Sequence, residues 1–254
     1  MADKPVFILV PGAWHGPETW SKVSSLLKEQ GYNSVSVTLP TTSGDNSISF
    51  GDDVKATQHA IRAETSQGHN VVVVVHSYGG VVGQTAMKGF TRPNDASASS
   101  QSTGYVIGLI VIASGFNQPG MAFLDGTGGK PPPSWRLDPS GFAEIQVPAR
   151  ELLYHDLPAA EGDEWVAKLR KQSSKALTEG ADVMYPGWRD VPVWMLITTE
   201  DKALPVEAQK MFVGMVKDSA DITVREIATS HSPMLSKPKE VVDLILEATK
   251  EFTK

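Results

Sequence analysis

The chain has 254 residues, enough for one α/β domain with a sizeable core. Hydrophobic residues make up 41% and charged residues 20%, a balance that excludes a chain disordered throughout. The formal net charge of −6 argues against a nucleic-acid partner, and the complete lack of cysteine excludes disulfides, thiolate metal sites and cysteine nucleophiles.

The sequence gives no sign of a targeting segment or a membrane span. The first five residues do not form a secretory pattern, and the apolar run Val6–Val10 is far shorter than a signal-peptide core or a transmembrane helix. No other stretch reaches membrane length. We therefore expect a cytoplasmic protein without a membrane partner, and the sequence leaves its oligomeric state open.

Strands alternate with helices along the chain. Val6–Val10 is continuously apolar, and residues 71–75 are five valines in succession; both patterns are typical of strands buried on both faces. The same signals predict strands at 33–37, 105–112, 193–198 and 222–227, and helices at 18–30, 53–67, 79–90, 206–217 and 239–252. Such alternation implies an α/β fold with a mostly parallel sheet covered by helices on both faces.

Two segments break this alternation. Residues 91–104 are small and polar without periodicity, which predicts a flexible surface loop. Residues 116–190 are too long for one crossover helix and hold proline-rich turns, with helical stretches near 149–154 and 163–172. We interpret them as a cap inserted into a single domain that spans residues 1–254.

Three polar residues stand just after predicted strands, in the chain order Ser77, Asp201, His231. Open parallel sheets bind their ligands outside the carboxyl ends of the strands. These three side chains are therefore the candidates for chemistry.

Ser77 occupies the predicted turn between the polyvaline strand and the next helix. A serine hydroxyl is a weak nucleophile unless it is exposed and has a base beside it, and a sharp strand-to-helix turn provides the exposure. The turn needs a small residue where the helix passes the strand, and Gly79 supplies it. The alternative is an ordinary helix cap, which most Ser-Xaa-Gly sites are; the valines before Ser77 and the helical run after it favour the nucleophile.

A general base and an acid partner are needed to activate that serine. Histidine titrates near working pH, and of the 6 histidines His231 alone follows a late strand on a loop, whereas His76 adjoins Ser77 and points away. Asp201 would fix the tautomer of His231 and stabilise the imidazolium. A solvated turn is the alternative for Asp201, and Glu200 is its nearest competitor for the acid role.

An oxyanion would need N–H donors beside the nucleophile. Tyr78 offers one backbone N–H, and the turn after the first strand offers another, best assigned to Ala13. A phosphate loop is the rival interpretation of that glycine-containing turn, but neither phosphate-loop pattern is present. The histidines lack metal-ligand spacing, so we expect no metal site.

At these residues the chain resembles the α/β-hydrolase superfamily, and more closely its small cofactor-independent branch of plant methylesterases, hydroxynitrile lyases and microbial relatives. This resemblance implies that the protein needs no cofactor. The resemblance is carried by FILVPGAWHG at 7–16, VVVVVHSYGG at 71–80, TTEDKALP at 198–205 and SHSPMLSKP at 230–238. The insertion residues 153–158 also resemble those of microbial members. The resemblance implies the α/β-hydrolase fold, with a sheet of six to eight strands and a helical cap over the serine.

The chain departs from the family pattern at four positions. Val75 replaces the first glycine of G-x-S-x-G, and Pro11 replaces a histidine common before the oxyanion glycine. Gly12 and Ser232 stand where the resembled hydroxynitrile lyases carry a threonine and a lysine, which disfavours cyanide chemistry.

The expected activity is hydrolysis of an ester, or of a lactone or thioester, of a small hydrophobic molecule. The aromatic-rich insertion indicates an apolar pocket. Its candidate wall residues are Trp14, Phe116, Met121, Trp135, Tyr154 and Trp188. Two alternatives stay open: a lyase or other tailoring reaction at the same site, and a non-catalytic small-molecule receptor.

Overall fold

The computed structural model describes residues 4–92 and 104–254. Most of the loop predicted over residues 91–104 lies outside these ranges. Six parallel strands form the main sheet, which confirms the predicted fold class. They are β1 (Val6–Val10), β2 (Ser34–Ser36), β3 (Val71–His76), β4 (Val106–Ile112), β8 (Val193–Thr198) and β9 (Ile222–Ile227). Their order across the sheet is β2-β1-β3-β4-β8-β9.

The valines of β3 alternate between the two faces of the sheet. Val71, Val73 and Val75 belong to one hydrophobic cluster, and Val72 and Val74 belong to the other. Successive side chains of a strand point to opposite faces, so an unbroken valine run fits a strand with helices on both sides. This burial fixes β3 at the centre of the domain.

Two layers of helices cover the sheet. Helices α1 (Ser21–Glu29) and α9 (Pro238–Phe252) pack on one face, and α2 (Phe50–Thr65), α3 (Gly79–Ala86) and α7 (Val206–Val216) pack on the other. Helix α2 starts three residues earlier than the sequence predicts, because the Asp52 carboxylate accepts the N–H and the hydroxyl of Ser49 at the helix start. Across the described ranges, no helix combines the length and apolar character needed to cross a bilayer.

The segment between β4 and β8 is only partly helical. Its helices are α4 (Ala149–Leu153), α5 (Ala159–Ala167) and α6 (Lys175–Thr178), and a four-residue α8 (Pro233–Ser236) follows β9. The segment also forms a small antiparallel sheet of β5 (Trp135–Leu137), β6 (Phe142–Ile145) and β7 (Gln172–Ser173). These strands have two to four residues, too few for a readable alternation, and the predicted helix at 163–172 in fact ends before β7.

Candidate functional site

Ser77 occupies a strained turn between β3 and α3. Its φ is 51°, in the left-handed region that non-glycine residues rarely adopt. Its N–H donates to Ile112 O at 3.1 Å, and its carbonyl accepts the Ser114 hydroxyl at 2.6 Å, so backbone contacts on both sides hold the turn. The side chain of Ser77 is half-buried and lines a cavity.

The glycines after Ser77 let α3 lie against the sheet. A Cβ on Gly79 would come within 2.4 Å of Pro11 O and 2.7 Å of Val10 O. A Cβ on Gly83 would come within 2.4 Å of Val75 Cγ1. Gly83 therefore makes room for Val75, which replaces the first glycine of the family pattern.

His231 and Asp201 form a buried pair. His231 Nδ1 lies 2.7 Å from Asp201 Oδ2, while Asp201 Oδ1 accepts the N–H groups of Ala203 and Leu204 at 2.8 Å. Burial raises the pKa of Asp201, but the charge of His231 and these hydrogen bonds outweigh it, so the pKa lies below its usual value. An ionised carboxylate can only accept, so Nδ1 carries the proton and Nε2 is left with its lone pair as an acceptor.

Gln209 on α7 orients Asp201 and was missed from the sequence. Its side-chain amide donates to Asp201 Oδ2 at 3.3 Å and to the hydroxyl of Thr198 at 3.0 Å, and that hydroxyl donates to Asp201 Oδ2 at 2.8 Å. Gln209 lies eight residues after Asp201 on the buried face of α7. A polar residue at an apolar position of a helix was the signal available.

His76 holds the loop that carries His231 through a hydrogen bond to its backbone. Its Nε2 donates to the carbonyl of His231 at 2.7 Å, and the two ring centroids lie 4.7 Å apart. Burial, together with the charges of His231 and His15, lowers the pKa of His76 well below its usual value. A neutral, fully buried ring whose Nε2 donates to His231 O holds the backbone of His231 in place.

Ser77 and His231 line one cavity of about 440 Å³, together with Ala13 and Tyr78. Within the described ranges, the N–H groups of Ala13 and Tyr78 donate to no protein acceptor, and no hydrogen bond joins the Ser77 hydroxyl to the imidazole. Hydrogen bonds between a nucleophile and its base are often long without substrate and shorten in the complex. The cavity thus brings together two free N–H donors, a hydroxyl and a carboxylate-bound imidazole.

Four of the six predicted wall residues line this cavity: Trp14, Phe116, Met121 and Trp135. Tyr154 and Trp188 are instead buried outside the wall. The hydroxyl of Tyr154 lies 2.6 Å from His15 Nε2, and Trp188 Nε1 donates to Asn117 O at 2.9 Å.

Part of the wall comes from α7, which the sequence had not assigned to the pocket. Met211, Phe212 and Met215 line the cavity, and the two methionines are 54% and 60% exposed. Large apolar side chains on the outer face of a predicted helix were the sequence signal for this part of the wall.

The sequence matches the Alpha/beta hydrolase family over residues 7–244. The chain belongs to this family. Alpha/beta hydrolase nvfD of Aspergillus novofumigatus (strain IBT 16806) is 28% identical over 98% of both chains, and Methylesterase 1 of Arabidopsis thaliana is 27% identical over 98% of this chain and 97% of its own.

A solved α/β hydrolase shares the fold of this chain. The crystal structure of polyneuridine aldehyde esterase covers 96% of this chain and 99% of its own, with a TM-score of 0.75 and 21% identity. These relatives confirm the predicted resemblance to the methylesterase branch, and a hydrolase family supports an enzymatic role.

Proposed function

We propose that the protein is a serine esterase that hydrolyses neutral esters of small apolar molecules through an acyl-enzyme. One observation carries this proposal: His231, which pairs with Asp201 at 2.7 Å, lines the same cavity as Ser77, which is held in a left-handed turn. Similarity to Methylesterase 1 supports ester hydrolysis as the reaction class.

In the proposed reaction, Ser77 Oγ attacks the ester carbonyl while its proton passes to Nε2 of His231. The N–H groups of Ala13 and Tyr78 stabilise the oxyanion of the tetrahedral intermediate. The protonated His231 then gives its proton to the departing alcohol, which leaves an acyl group on Ser77. Water, deprotonated by His231, then attacks the carbonyl of this acyl group and forms a second tetrahedral intermediate. When that intermediate collapses, the acid is released and His231 returns the proton to Ser77 Oγ.

The composition of the wall favours neutral, apolar substrates. A volume of about 440 Å³ lies in the range of small-molecule sites. Among the described lining residues there is no lysine or arginine, and the one carboxylate, Asp125, is exposed. Exposed Met121, Met211 and Met215 add apolar surface to the wall. An anionic group on a substrate would therefore meet the Asp125 carboxylate in this cavity, and no lysine or arginine of the described wall.

A panel of p-nitrophenyl esters with neutral acyl chains of increasing length, set against a succinyl ester, tests this proposal. Wild-type protein should hydrolyse the neutral esters and react with a fluorophosphonate probe at Ser77. Ser77→Ala should lose labelling, and Ser77→Ala and His231→Ala should each lose about 10⁴-fold or more in kcat, because members of such a triad act as a unit.

The products and the labelling separate the alternatives. Acid and alcohol in equal amounts support the esterase. Labelling at Ser77 with a different product indicates the tailoring reaction, and binding of apolar ligands without labelling indicates the receptor. Turnover of the same esters by Ser77→Ala at the wild-type rate would overturn the proposal.

A further inference from the structure

A buried carboxylate lies behind the proposed oxyanion hole. Asp53 of α2 has an exposure of 0% and, within the described ranges, forms no ion pair with a basic side chain. Its partners are the N–H of Thr41 at 3.0 Å, the hydroxyl of Thr41 at 2.6 Å and the phenol of Tyr78 at 2.8 Å. An ionised group in the interior destabilises a fold unless it is well paired, so a buried carboxylate at position 53 calls for a functional explanation.

The first branch of this network leads directly to the nucleophile turn. Tyr78 follows Ser77 and lines the cavity, and its backbone N–H is one of the two donors without a protein acceptor in the described ranges. Its phenol is fully buried, donates to Asp53 and packs edge-on against Phe123 with ring centroids 5.7 Å apart. Burial and the nearby Asp53 raise the pKa of Tyr78 well above its usual value, so the phenol remains a donor. The hydrogen bond to Asp53 and the contact with Phe123 fix the side chain of Tyr78, and this restricts the residue that carries the N–H.

The second branch leads to the loop that carries the other donor. The hydroxyl of Thr41 donates to Asp53 and accepts the side-chain amide of Gln172 at 2.9 Å. The amide oxygen of Gln172 then accepts the N–H of Trp14 at 3.2 Å. Trp14 follows Ala13 and has a φ of 62°, so this bond holds a strained residue beside the donor.

We propose that Asp53 is a positioning residue for the oxyanion hole, acting through Tyr78 on one donor and through Thr41 and Gln172 on the other. This inference rests on the proposed esterase function. Asp53 does not contact the substrate. Burial raises the pKa of Asp53 to about 6, against hydrogen bonds from Thr41 and Tyr78 that lower it, so the carboxylate is ionised at neutral pH. An ionised carboxylate can only accept, and this fixes the direction of every hydrogen bond in the network. The competing explanation is that Asp53 merely ties α2 to the sheet, which would affect stability and not the transition state.

Three variants interrupt the network at different points: Tyr78→Phe removes the phenol hydroxyl, Thr41→Val removes the bridging hydroxyl and Asp53→Asn removes the charge. Each should lower kcat by about 10- to 100-fold with KM changed by less than about 3-fold, since loss or displacement of an oxyanion donor acts on the transition state. Affinity for a trifluoromethyl ketone, which forms an oxyanion on Ser77, should fall by the same factor. Affinity for the matching amide, a ground-state analogue, should not change.

Two controls separate positioning from stability. Thr41→Ser keeps the bridging hydroxyl and should restore kcat to within about 3-fold of wild type. Thr65→Val removes a buried hydroxyl of α2 outside the network, one that donates only to Ile61 O at 3.1 Å, and should lower the melting temperature without lowering kcat.

The inference is overturned if the three variants lose stability while kcat and ketone affinity stay within about two-fold of wild type, or if amide and ketone affinities fall together. Fluorophosphonate labelling of wild-type Ser77 tests the proposed function separately. A labelled, active wild type with unaffected variants would refute only the role of Asp53. If Tyr78→Phe does not fold, the comparison of Thr41→Val with Thr41→Ser decides the question.

Discussion

Replacing Gly79 with alanine tests the turn that exposes Ser77. The new methyl group would lie 2.4 Å from Pro11 O and 2.7 Å from Val10 O, well inside van der Waals contact. Both oxygens belong to the backbone at the end of β1, a strand paired on both sides in the sheet, so neither can rotate away. Relief must come from a shift of α3, and Ser77 moves with it.

The expected loss of stability follows from the two opposing effects of the methyl group. Overpacking of this kind costs about 1–3 kcal/mol, and the better helix propensity of alanine recovers at most about 1 kcal/mol. For a chain of this size, each kcal/mol lowers Tm by about 2–4 °C. A displacement of Ser77 near 1 Å should lower kcat by about 100-fold.

Gly214 provides a matched control for the same substitution. It is exposed in α7, and an added Cβ would meet nothing within 4 Å. Gly214→Ala should therefore stabilise the protein by about 0.5–1 kcal/mol and leave kcat unchanged. Guanidinium unfolding and initial rates on one ester measure both effects. A Gly79→Ala protein as stable and as active as wild type would refute the steric reasoning.

Three further predictions concern titratable groups at the cavity or beside it. Asp201→Asn should lower kcat by about 10³- to 10⁴-fold at neutral pH because it favours the wrong tautomer of His231, whereas Glu200→Gln should not; equal effects in a rate assay would contradict the assignment. Burial lowers the pKa of His15 from 6.5 to about 4, so its contribution to stability is present above pH 6.5 and falls by up to about 3 kcal/mol as pH drops towards 4. His15→Gln should make guanidinium midpoints between pH 7 and pH 4.5 less pH-dependent, and an unchanged slope would count against this. Asp125→Asn should raise kcat/KM for a succinyl ester about 2- to 5-fold relative to a neutral ester at low salt, an advantage that should shrink at high salt.

The strand ends were predictable because apolar runs and parallel pairing define them without reference to the rest of the chain. Once Val6–Val10, the valines of β3 and Val193–Thr198 are assigned to one sheet, their carboxyl ends must share an edge. Ser77 and Asp201 then fall on that edge. Neither residue needs a long-range contact to be placed.

The insertion was less predictable because its residues follow no regular period. An aromatic side chain on a short strand or a 3-10 turn faces the cavity or the core according to contacts that only the folded chain contains. Trp135 lies on the wall and Trp188 in the core, although both were predicted for the wall. The three-stranded sheet was missed for the same reason.

Buried polar groups on helices were missed because charged and amide residues there are ordinarily solvated. Asp53 occupies the same face of α2 as Phe50, Thr57 and Ile61, all of them buried. Helical spacing could therefore have placed it inside. Its partner, Tyr78, comes from an element 25 residues away in the chain, and no periodicity connects the two.

The backbone identifies the site independently of the polar side chains. Within the described ranges, three non-glycine residues have a positive φ: Trp14 at 62°, Ser77 at 51° and Ala113 at 48°. They follow β1, β3 and β4, which are neighbours in the sheet, and all three line the cavity of His231. Each such conformation costs about 1–3 kcal/mol and persists only where surrounding contacts enforce it. The strained backbone positions therefore lie around one cavity, at the carboxyl edge of the sheet where Ser77 stands. There the fold accepts a loss of stability in order to hold these residues in a defined conformation.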